Sequence, residues 1–147
     1  MILIQLPFKT SNKFLIKEKM GGKRMLESRL NSKNEEIKDD YHIYLTKIAK
    51  DKLKDSTAEA KIASVRQYET CTNYIDFKLF DEMLGIKFYD YLDSQSIEVS
   101  TKIKHLNNVK EFLVWYLNST KHKKSQIEAL ETLEPKEKDV RLSQRRE

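Results

Sequence analysis

From Asn34 onward, apolar residues recur at three- and four-residue spacing, and the breaks between the periodic runs are short. Ile37, Tyr41, Tyr44, Leu45 and Ile48 predict a first helix over about 34–50. Ala58, Ile62, Val65, Tyr68 and Thr72 predict a second, with Ser56 or Thr57 as its N-cap. Phe77 to Leu92 predicts a third helix or helix pair anchored by Phe80, Met83, Leu84, Phe88 and Leu92. A fourth runs through Ser100–Lys124, where Ile103, Leu106, Val109, Phe112, Leu113 and Tyr116 form the apolar stripe. Glycine and proline are confined to Gly21, Gly22, Gly85, Pro7 and Pro135, which favours long helices over hairpins. Four helices, each with one apolar face, predict an all-α compact bundle of four to five helices.

Size limits this to one domain with room for tails, since the chain has 147 residues. Hydrophobic residues are 39% of it and charged residues 35%, the balance of a soluble protein with a small core. No apolar run approaches the roughly 20 residues that cross a bilayer, and MILIQLPF is too short and lacks the basic flank of a signal peptide. No membrane partner is expected. A lone Cys71 fits a reducing, cytoplasmic location.

Charge is unevenly placed. Residues 1–33 carry eight basic and two acidic side chains, and 96–124 carry six and two, whereas 55–95 carry four and eight. The overall charge of +5 therefore sits in an N-terminal arm and around the fourth helix, an asymmetry that suits a polyanion approached from one side. The arm has weak periodicity. It reads either as a segment ordered by DNA or as an upstream extension ahead of a start at Met20 or Met25.

The fourth helix has a polar stripe opposite its apolar one: Thr101, His105 and Asn108, flanked by Lys102 and Lys104. The second helix offers Thr57, Lys61 and Ser64 at matching spacing. Such groups contact base edges and phosphates when a helix enters a major groove, and they also suit an ordinary solvated face. Composition leaves both readings open.

The segments NEEIKDDYHIYL (34–45), STAEAKIASVRQYE (56–69), DFKLF with FYDYL (76–92) and STKIKHLNNVKEFLVWYL (100–117) together resemble the N-terminal core-binding domain of the tyrosine recombinases, the phage-integrase family. The matching features are Thr57 opening the second helix, Tyr68-Glu69 near its end, and Thr101, Leu106, Lys110, Phe112-Leu113 and Trp115 along the fourth. The resemblance implies a SAM-like helical domain over 34–124 that grips recombination-site duplex DNA. Residues 125–147 then form a linker toward a catalytic domain that this chain does not contain. Carried over by position, Ser56, Thr57 and Lys61 at the start of the second helix, and Thr101, Lys102, Lys104 and His105 at the start of the fourth, face the major groove. Other recombinase protomers on the same DNA are implied partners.

Nothing in the pattern suggests an enzyme. The seven tyrosines lie in or beside helical runs, and no neighbouring set would activate one as a nucleophile. His42, His105 and His122 are scattered, so no metal is expected, and MGGKRM lacks phosphate-loop spacing and reads as a flexible joint. Glu35, Glu36, Asp39 and Asp40 suit a helix start. No cofactor and no small-molecule substrate are expected. The competing reading is a helical protein–protein interaction module that docks a partner through an exposed Trp115 or Phe112.

Overall fold

The computed structural model describes residues 31–145, so the expected basic arm over 1–33 lies almost wholly outside the described residues. Helix α1 (Ser32–Ile43) begins where the Asn31 side chain accepts hydrogen bonds from the backbone N–H groups of Lys33 and Asn34. It runs into a π-helical turn, Tyr44–Ile48. That turn breaks the 3.6-residue period, so Leu45 stays buried while Ile48, expected in the core, is 67% exposed. Helix α2 (Asp55–Cys71) starts one residue before the expected caps: Lys54 is the N-cap, without a side-chain bond, and Ser56 and Thr57 stand inside the first turn.

Thr72 closes α2 by donating its hydroxyl back to the Tyr68 carbonyl, and Asn73 and Tyr74 follow, both at φ 60°. Two consecutive non-glycine residues in the left-handed region cost of order 1–3 kcal/mol each and persist only where the surroundings hold them. A buried polar knot does so here. The Asn34 amide donates to Glu69 Oε2 and to the Ile75 carbonyl, and its oxygen accepts from Phe77 N–H. Lys38, 3% exposed, pairs with Glu69 and with Glu35. Burial pushes the Glu69 carboxyl above its ordinary range, and the Lys38 and Asn34 hydrogen bonds oppose that push. Of the Tyr68-Glu69 pair, then, the ring belongs to the core and the carboxylate to this knot.

A 3₁₀ turn (Phe77–Leu79) leads to α3 (Glu82–Asp93), whose N-cap Asp81 accepts from Leu84 N–H. Met83, expected as an anchor, is 77% exposed, because it falls about 140° round the helix from buried Phe88. Gly85 is a packing residue. A Cβ there would lie 1.8 Å from Thr132 Oγ1 and 3.0 Å from Thr132 Cβ.

Helix α4 (Val99–Asn118) runs through the centre. Leu106, Val109, Phe112 and Leu113 are fully buried, and the Phe112 ring meets Tyr41 and Phe77 edge-on at 5.0 and 4.7 Å. Residues 125–145, part of the expected linker, pack onto the bundle. Helix α5 (Lys124–Ala129) and a 3₁₀ turn (Leu130–Leu133) put Ala129, Leu130 and Leu133 into the core. Helix α6 (Glu137–Arg145) closes the described chain. The described residues thus form an all-helical bundle, and no helix among them is long and apolar enough to cross a membrane.

Candidate nucleic-acid interface

Helices α2 and α4 lie side by side and antiparallel, because Lys61 reaches Asn108 and Glu111 while Ser64 and Gln67 reach back to His105. Their N-termini therefore point opposite ways. Extended along that pairing, Thr57 falls near the Leu113 level of α4, roughly 14 Å along the axis from Lys104. The two helix starts that the family resemblance brings to one groove are the two ends of one strip.

A polar seam joins the helices along that strip. Lys61 Nζ pairs with Glu111 at 2.9 Å and approaches Asn108 Oδ1 at 3.4 Å. The Asn108 amide donates to Ser64 Oγ at 3.0 Å, and Ser64 Oγ lies 2.8 Å from His105 Nδ1. Gln67 Nε2 lies 3.4 Å from His105 Nε2. The neutral imidazole protonated on Nδ1 satisfies the set: it donates to Ser64 and accepts from Gln67. Burial, aided by the Lys104 charge, holds the His105 pKa below its ordinary value, which favours that neutral form.

The nine residues selected by sequence separate accordingly. Ser56, Thr57 and Lys104 are exposed, and Lys61, Thr101 and His105 are half-buried. Ser64 and Asn108 are buried in the seam, where they hold the helices together and have little left to offer a ligand. Lys102 is the clear correction. Assigned to the solvent face, it is 4% exposed, and its ammonium sits 2.7 Å from Asp93 Oδ1 and 2.8 Å from Asp139 Oδ1, over the Tyr89 ring. Burial alone would lower its pKa, but the hydrogen bonds to Asp139, Asp93 and Tyr89 raise it above the ordinary lysine value.

Sequence reading missed three residues of the strip: Ala60 and Ala63, which are exposed, and Gln67, which is half-buried. Together with Ser56 and Thr70 they line the outward side of α2 without a charge. Their spacing of three and four residues was the available signal. Charge on the strip is nearly cancelled, since Glu111 faces Lys61 and Glu59 lies 3.8 Å from Arg66. Lys104 makes no ion pair among the described residues. Within the described residues no cluster of His, Cys, Asp and Glu could hold a metal ion. No protein-family model, curated protein or solved structure matches the chain.

Proposed function

We propose that this chain is the DNA-gripping core-binding portion of a site-specific tyrosine recombinase and lays the α2–α4 strip against duplex DNA. The observation that carries the reading is the strip itself: two antiparallel helices locked by a saturated polar seam, with small and hydroxyl-bearing residues facing outward. Ser56, Thr57, Ala60 and Ala63 let a helix approach a groove closely, and helix hydroxyls and Lys104 supply donors for bases and phosphates. The four-segment resemblance to the integrase family supports the same assignment. The competing docking module loses its main feature, because Phe112 is fully buried and Trp115 packs against Tyr41 and Tyr44 at 5.0 and 5.8 Å.

The reading gives this portion no strand-cleaving role and no cofactor. Its test is a titration of the protein with duplex DNA at several salt concentrations. Binding that weakens steeply with salt is expected. The Ser56→Ala/Thr57→Ala/Lys104→Ala variant should melt with the parent and bind more weakly. A parent that ignores duplex DNA even at low salt sinks the proposal.

A further inference from the structure

The α2–α4 strip poses a problem for any polyanion reading, since Lys104 is its one cation without an ion pair among the described residues. The missing charge lies beyond the other end of α4. Lys121, His122 and Lys123 lie in the loop from α4 to α5, Lys124 opens α5, and Lys78 comes alongside from the first 3₁₀ turn. All five are exposed, and none makes an ion pair among the described residues. With Phe80 and Gln126, Lys78, Lys121, His122 and Lys123 border a cleft of about 640 Å³, and Lys124 follows Lys123 directly in the chain.

This cluster is built rather than scattered. The buried Gln126 side chain ties its two halves together: its amide nitrogen donates to the Lys78 and Phe80 carbonyls, each at 2.9 Å, and its oxygen accepts from Lys123 N–H, also at 2.9 Å. His122 Nδ1 donates to the Leu117 carbonyl at 2.7 Å, which fixes the ring and leaves Nε2 without a partner among the described residues. Asp81 is the one acid on the cleft, and its carboxylate is engaged by Leu84 N–H at the start of α3. Cations gathered around one cleft repel one another, and a phosphodiester backbone supplies the closely spaced anions that relieve the repulsion.

We infer that the cleft lined by Lys78, Lys121 and Lys123, with Lys124 next in the chain, is a phosphate-backbone anchor for nucleic acid and supplies most of the salt-dependent affinity, while the α2–α4 strip supplies contact with the groove. The inference rests on the DNA-binding reading and divides its labour between two ends of one helix. Phosphate contacts position a protein on DNA, and groove contacts select sequence, so the two surfaces make separable predictions.

Duplex titrations across a salt series on the parent, on a Lys78→Gln/Lys121→Gln/Lys123→Gln/Lys124→Gln variant and on the strip variant test this. The fourfold variant should bind roughly a hundredfold more weakly at low salt, with a salt slope smaller by about three to four units. A Lys121→Gln/Lys123→Gln/Lys124→Gln variant that spares Lys78 should lose about three. The strip variant should lose about one. A parent that binds while the fourfold variant keeps its slope and affinity overturns the anchor and leaves the DNA-binding reading standing. A parent that binds no duplex at low salt overturns both. Lysine-dependent binding to phosphatidylserine-containing vesicles in place of duplex overturns the anchor in favour of a membrane surface.

Discussion

Lys102 and Lys104 stand two residues apart on one helix with opposite expected roles, so their alanine variants make a sharp comparison. In Lys102→Ala the ammonium leaves a pocket where Asp139 is 2% exposed and accepts hydrogen bonds from Tyr89 and from Lys136 N–H. Removing one partner of a buried ion pair costs about 3–5 kcal/mol. Asp93 is 41% exposed and keeps Lys138 at 3.0 Å, so the low end, about 3 kcal/mol, applies here. At a few degrees per kcal/mol that is a fall of about 10 °C in melting temperature. Lys104→Ala removes an exposed side chain and should stay within about 0.5 kcal/mol. The same cluster predicts an acid limb. Burial pushes the Asp139 carboxyl up, but Lys102, Tyr89 and the Lys136 backbone bring it below the usual aspartate range. A depressed folded-state value means stability that is present above the ordinary aspartate pKa, about 3.9, and lost as pH falls through the folded value. Lys102→Met should flatten that limb. Thermal and denaturant melts between neutral and acid pH are the assay. A Lys102→Ala protein that melts with the parent yet loses duplex binding would return this lysine to the DNA-facing surface and overturn its place in the buried cluster.

Phe112→Ala should cost about 3–5 kcal/mol, because the ring is fully buried among Tyr41, Phe77, Trp115 and Tyr116, and a denaturant melt measures it. Gly85→Ala should destabilise despite better helix propensity, and Thr132→Ala in the same chain should recover part of the loss by removing the hydroxyl that the new methyl meets, read from paired melts. Gln126→Ala strands the buried Phe80 carbonyl and the part-buried Lys78 carbonyl and should cost about 1–3 kcal/mol while leaving the charge of the cleft unchanged.

Helix positions were largely legible because the apolar period was strong, and the buried stripe from Leu106 to Tyr116 lies where spacing puts it. Lys102 shows why the polar residues were harder. It falls four residues before Leu106 and seven before Val109, squarely on that stripe, so spacing pointed inward while side-chain type pointed out. A lysine goes inside only when carboxylates from elsewhere meet it, and Asp139 lies 37 residues away, beyond the reach of local pattern. Ser64 and Asn108 are buried for a related reason: α4 is covered on more than one side, so its polar flank is interior too. The segment from Ile127 to Leu133 is too short to display a period, which hid its place in the core. The lysine cleft was visible as composition around the fourth helix, but the Gln126 staple that brings Lys78 to it is purely tertiary.

Among the side chains described in α6, Asp139 alone is fully buried, while Val140 and Leu142 remain 43% and 45% exposed. Helix α6 therefore has almost no hydrophobic stake in the bundle and is moored by one ion cluster, in which Asp139 meets Lys102 and Tyr89 and Lys138 meets Asp93. Its opening free energy is that of a single ion cluster rather than of global unfolding, so it forms a cooperative unit of its own. Its amide hydrogens should be less protected from exchange than those of α4, and their protection relative to the intrinsic rate should fall further once the mooring carboxylate is protonated. Detachment of this helix would leave the apolar core around Phe112 intact, so the bundle can lose its last element without melting.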